Sequence, residues 1–92
     1  MKTIRKYKLP VKEGFHEIET HSFSQILSVG VESPASDPKP VCWVKVDTSR
    51  IKQKHRVYIS YTGTPLPYDA YTFIGTVRVE WLVLHIFDAP YF

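Results

Sequence analysis

Arg56-Val57-Tyr58-Ile59-Ser60-Tyr61 is the stretch that decides the fold. Val57, Ile59 and Tyr61 point one way, and Arg56, Tyr58 and Ser60 the other. That is the period of a strand, and the β-branched and aromatic content fits a pleated surface. Upstream, Val41-Cys42-Trp43-Val44-Lys45-Val46-Asp47 has the same character. Downstream, Thr72 to Trp81 sets Val77, Val79 and Trp81 on one face, and Leu82 to Phe87 reads as the last strand. Toward the N-terminus, Thr3 to Leu9 reads as a strand stopped by Pro10. Lys12-Glu13-Gly14 makes a turn and Phe15 to Glu19 a short strand. Gln25 to Glu32 follows, with Leu27, Val29 and Val31 on one face.

The seven prolines punctuate these runs: Pro10, then Pro34, Pro38 and Pro40, then Pro65 and Pro67, then Pro90. Each interrupts a ladder or marks a turn. No window carries a convincing amphipathic helix. Pro67 to Tyr71 has room for one helical turn. The expectation is an all-β, mainly antiparallel chain of about seven short strands, folded as a compact sandwich or a partly closed barrel. With 92 residues and no dividing linker, residues 1–92 make one domain.

Twelve Lys and Arg against nine Asp and Glu leave a net charge of +3. This permits an anionic partner without requiring one. The single cysteine, Cys42, excludes an internal disulfide and suits a reducing cytosol. No apolar run follows the basic N-terminus, and Trp81–Leu84 is far too short to span a bilayer, so no membrane role is expected. So small a chain buries a modest core, and homo-oligomerisation is one remedy. The tail Ala89-Pro90-Tyr91-Phe92 would either fold back on the core or dock on a neighbour.

Catalytic signatures are missing from the linear sequence. Cys42 has no histidine nearby in sequence and reads as a small buried hydrophobe. His16, His21, His55 and His85 show no metal-ligand spacing, so neither a metal nor a cofactor is expected. His85 in its apolar strand reads as a hydrogen-bonded core residue. Glu17 and Glu19 share a face at what reads as a solvated edge. Thr62-Gly63-Thr64 is too short for a phosphate loop, and Gly63 fits a turn requiring positive φ. These absences leave open a site assembled in three dimensions.

One segment suits a ligand: Arg50-Ile51-Lys52-Gln53-Lys54-His55-Arg56-Val57-Tyr58. If the strand starts early, Arg50, Lys52, Lys54, Arg56 and Tyr58 fall on one face, a basic row ending in a ring. Arg and Lys can hold phosphate and a ring can stack on a base. The candidate ligand-binding set is those five residues with Thr62 and Thr64 of the next turn. The plainer alternative is a polar hairpin loop over residues 48–55, with lysines guarding an edge.

The chain resembles a family of small, phage-associated proteins whose domain has no known function. The resemblance rests on Ile4 to Val11, Ile26 to Val29, Cys42 to Asp47, Thr62 to Pro67 with Phe73 to Val77, and Leu84 to Phe87. It implies a phage or prophage origin and a small accessory role, and it supplies no catalytic residues. The leading expectation is a non-enzymatic counter-defence protein that sequesters a small phosphorylated ligand, such as a nucleotide-derived immune signal of the host. The alternative is a protein-interaction module, either an inhibitor of a host protein or a minor phage structural component. Nucleic-acid binding ranks below both, because the charge is small and no groove-reading helix is present.

Overall fold

Alternation along the chain becomes two antiparallel sheets in the computed structural model, which describes residues 1–32, 37–66 and 71–90. The strands are β1 (Lys2–Lys8), β2 (Gly14–His21), β3 (Gln25–Glu32), β4 (Lys39–Asp47), β5 (Lys52–Tyr61), β6 (Thr72–Val79) and β7 (Leu82–Asp88). A three-stranded sheet has the order β1-β4-β3, and a four-stranded sheet the order β2-β5-β7-β6. The chain passes between the sheets from β1 to β2, from β2 to β3 and from β4 to β5. The architecture is therefore an open sandwich and not a closed barrel.

The core lies between the sheets. Cys42, Val44 and Val46 of β4 face Val57 and Ile59 of β5, with Leu84 and Ile86 of β7 and Val77 and Val79 of β6. Each fully buried aliphatic side chain contributes about 1.5–3 kcal/mol. Cys42 belongs to this core, and burial pushes its thiol up to about 11.

β3 and β6 are the edge strands on one side of the sandwich, and both are bulged. The shift in β3 falls between Ile26 and Ser28, and that in β6 between Phe73 and Gly75. An inserted residue reverses the side-chain parity. Ile26 and Val29 therefore both face the core, while Leu27, expected on the face of Val29, is exposed. Gly75 lies directly against Val29: a Cβ there would stand 2.7 Å from Val29 Cγ2. The missing side chain lets the two edges close on one another.

Two further expectations change. Trp81 does not share the inward face of Val77 and Val79. Glu80 and Trp81 form the tight connection between β6 and β7, with Glu80 at φ 58° and Trp81 79% exposed. His85 does not point into the core. It stands on the outer face of the four-stranded sheet, where its two ring nitrogens bridge the hydroxyls of Thr62 (2.8 Å) and Thr76 (2.9 Å). Gly63 adopts the positive φ expected of it, +88°. Ala89 folds back on β5, its N–H donating to Arg56 O at 3.0 Å. The helical turn expected near 67–71 falls largely outside the described residues, as do Tyr91 and Phe92 of the tail.

Candidate functional site

β5 begins at Lys52, so the basic row has four members. Lys52, Lys54, Arg56 and Tyr58 share the outer face of the four-stranded sheet, whereas Arg50 sits in the turn before it. The β2 register sets His21, Glu19, Glu17 and Phe15 opposite these four in turn. Acidic side chains thus run beside the basic ones, and Lys54 Nζ lies 4.0 Å from Glu17. Such exposed pairs contribute about 0–1 kcal/mol each. The Arg56 guanidinium lies 4.4 Å from the centre of the Phe15 ring, and its Nε donates to Ala89 O at 2.9 Å. Tyr58 is covered by Phe15 and Tyr71, with centroids at 4.8 and 5.9 Å, and that burial raises its phenol pKa. Arg56 and Tyr58 are therefore held by their neighbours.

Thr62 and Thr64 lie at the far end of β5, about 30 Å from Lys52 at strand rise. Thr62 holds His85, and Thr64 N closes a turn on Tyr61 O at 3.2 Å. No small ligand can touch these threonines and the Lys52–Lys54 end together.

The cations that do converge surround a residue the sequence did not mark. Phe23 lies in the short β2–β3 connection with φ 61° and is 86% exposed. A bulky residue in the left-handed region is strained, by about 1–2 kcal/mol. Two clasps hold this connection against the β4–β5 turn: Ser22 N donates to Ile51 O at 2.9 Å, and His21 Nδ1 donates to Arg50 O at 3.0 Å. The Arg50 guanidinium packs on the Phe23 ring, 4.6 Å from its centre.

Phe23 borders two hollows. The larger, of 330 Å³, is lined by His21, Phe23, Ser24, Gln53, Lys54, His55 and Pro90. The smaller, of 160 Å³, has Phe23 and Arg50 with Lys2, Gln25, Lys45 and Asp47. Asp47 is already engaged. Its Oδ1 accepts from Ser49 Oγ (2.6 Å), Ser49 N (3.1 Å) and the N-terminal ammonium (3.3 Å), and these hold its carboxyl well below the usual range. An exposed ring thus stands between hollows lined by Lys2, Lys45, Arg50 and Lys54.

A family model described as a domain of unknown function, DUF7352, matches residues 1–91. The chain belongs to that family. No curated protein and no solved structure matches it. The site in this DUF7352 domain is therefore read from its own geometry.

A second surface feature of the DUF7352 domain is a row of rings. Phe15 of β2 pairs with Tyr58 of β5, Tyr58 with Phe87 of β7, and Phe87 with Phe73 of β6. The row crosses all four strands of the outer face, and the Phe73 and Phe87 centroids are 5.5 Å apart. Phe15 and Phe73, at its two ends, are exposed. Alternation within each strand marks these rings as one-faced, but only the register aligns them.

Proposed function

We propose that this protein binds a small phosphorylated ligand with a planar base, stacked on Phe23 and held by the surrounding cations. The observation that carries the reading is Phe23 itself: exposed, in a strained backbone conformation, and packed on one side by Arg50. A strained residue persists where its surroundings over-determine it, and such residues cluster at ligand clamps. The larger hollow, at 330 Å³, lies within the range of small-molecule sites. Lys54 lines that hollow, and Lys2, Lys45 and Arg50 line its neighbour, offering positive charge for phosphate. Of the residues singled out in the sequence, Arg50 and Lys54 belong to this site; Phe23 supplies the ring in place of Tyr58. The biological setting we propose is a phage accessory protein that sequesters a nucleotide-derived signal of the host, a role that calls for enclosure alone. Calorimetry against cyclic nucleotides and ADP-ribose derivatives tests the reading: saturable heat that disappears in Lys54→Ala supports it, and no heat with any of them refutes it.

A second reading, a protein-interaction module, is favoured by the aromatic row. Exposed rings on a flat sheet face are characteristic anchors of protein interfaces. Under this reading Phe73→Ser abolishes co-purification with a specific protein or shifts the oligomeric state measured by light scattering.

A further inference from the structure

Ser24, His55 and Asp88 are 31 and 33 residues apart in the pairs that matter, yet they form a continuous hydrogen-bonded relay. Ser24 follows Phe23 in the β2–β3 connection and lines the larger hollow. Its Oγ lies 3.0 Å from His55 Nδ1, and His55 Nε2 lies 2.6 Å from Asp88 Oδ1. His55 and Asp88 stand on neighbouring strands β5 and β7, at the end of the sandwich where Ala89 folds back. The His55 side chain is only 11% exposed.

The chemistry of the partners fixes the direction of the relay. A carboxylate only accepts, so Asp88 takes a hydrogen bond from His55 Nε2–H. In a neutral imidazole the other nitrogen then carries a lone pair, so Nδ1 accepts and Ser24 Oγ–H donates. The ring is reversed relative to the usual Ser-His-Asp arrangement, in which Nε2 faces the serine, but the roles are kept: the nitrogen facing Ser24 is free to take its proton. We infer that Ser24 is an activated nucleophile that opens small carboxylic esters, with His55 as its base and Asp88 as the positioning residue. The inference goes beyond ligand capture and does not depend on it.

The step balances without any further reagent. Ser24 Oγ bonds to the ester carbonyl carbon while its proton passes to His55 Nδ1. The tetrahedral intermediate collapses, the bond from carbonyl carbon to leaving oxygen breaks, and that oxygen takes the proton from His55. Water, deprotonated by His55, then attacks the acyl-serine; the bond from carbonyl carbon to Ser24 Oγ breaks, Oγ takes the proton back from His55 Nδ1, and the carboxylic acid leaves. Gln53 and Lys54 line the same hollow and bring an amide N–H and an ammonium as donors for the oxyanion. Phe23 and Pro90 give the acyl chain an apolar wall.

The probes are p-nitrophenyl acetate and an alkyl fluorophosphonate. The expected result is one phosphonyl adduct per chain, mapped to Ser24, and a p-nitrophenol release rate that falls at least about 100-fold in Ser24→Ala. His55→Gln should abolish both signals. Asp88→Asn should lower kcat with little change in KM and should change the pH profile; a purely structural residue would leave that profile in place. Circular dichroism and melting curves establish that each variant is folded. Ser24→Ala, which removes a single hydroxyl, keeps the test decisive if the histidine variant does not fold. An adduct elsewhere, no adduct at all, or equal release by the wild type and Ser24→Ala overturns the proposal and leaves the relay as a structural clasp. The two readouts are independent on the wild-type protein: nucleotide heat without a Ser24 adduct overturns only this proposal, and a Ser24 adduct without nucleotide heat overturns only the ligand-capture reading.

Discussion

Replacing Phe23 with glycine separates a functional ring from a structural one. In a core, removing a phenylalanine side chain costs about 3–5 kcal/mol. Phe23 is 86% exposed, so little apolar burial is at stake. Glycine removes left-handed backbone strain of about 1–2 kcal/mol. Against this stand the extra freedom of the unfolded glycine chain, about 0.5–1 kcal/mol, and the lost Arg50 contact, about 0.5–1 kcal/mol at an exposed site. These nearly cancel. Phe23→Gly is expected to melt within about 4–8 °C of the wild type, the shift that 1 kcal/mol produces in a domain of this size. Nucleotide affinity should fall much further. Stacking on an aromatic ring is worth about 1–3 kcal/mol per base, so the dissociation constant should rise about 5- to 150-fold. Differential scanning calorimetry and titration calorimetry on the same preparation measure the two effects. A loss of more than about 3 kcal/mol of stability, or an unchanged affinity, would refute the reasoning, because the ring would then be packing rather than platform.

Three further outcomes follow from the packing and the charges. Thr20 Oγ1 is buried without a hydrogen-bond partner among the described residues, so Thr20→Val should raise stability by about 1 kcal/mol in urea unfolding. Gly75→Val should lower stability by about 1–3 kcal/mol, because even a Cβ there meets Val29 Cγ2; an unchanged urea midpoint would mean that the two edges are not in contact. Asp47 has a lowered pKa, chiefly from the Ser49 hydroxyl, so the stability it adds is present above the ordinary carboxylate range and is lost as pH falls below about 4. The melting-temperature gap between the wild type and Asp47→Asn should therefore be constant near neutrality and close on acidification.

Strand positions were legible because burial on one face leaves a period of two in the sequence. Val57 and Ile59, or Val77 and Val79, need only that rule. The departures are local. A bulge leaves the composition of Gln25–Glu32 unchanged while reversing its parity, so Leu27 read as buried. Trp81 continued the pattern of its strand by one residue and went instead to a turn. His85 looked like core because its neighbours are apolar, although it faces outward between two threonines. The candidate site was legible only in part. The charges of Arg50 and Lys54 could be read, but their arrangement depends on the β2–β3 connection, which carries no motif. The Ser24–His55–Asp88 relay could not be read at all, since its members meet only when β5, β7 and that connection are in place.

The strand order also has a consequence for how the chain reaches this state. β1 pairs with β4, bringing Lys2 beside Asp47, and β2 pairs with β5, bringing Gly14 beside Ile59. Even at their near ends, Lys8 beside Val41 and His21 beside Lys52, these ladders close loops of roughly 30 residues, so the entropy of closure must be met before β1 or β2 gains a partner, whereas β3–β4 and β6–β7 pair locally. Folding should accordingly be slow for the length of the chain, in the millisecond-to-second regime of non-local β topologies. On the ribosome the first two strands have no partners until the middle of the chain has emerged. Lys2, Lys6 and Lys8 on β1 and Glu17 and Glu19 on β2 would then keep the waiting segments in solution.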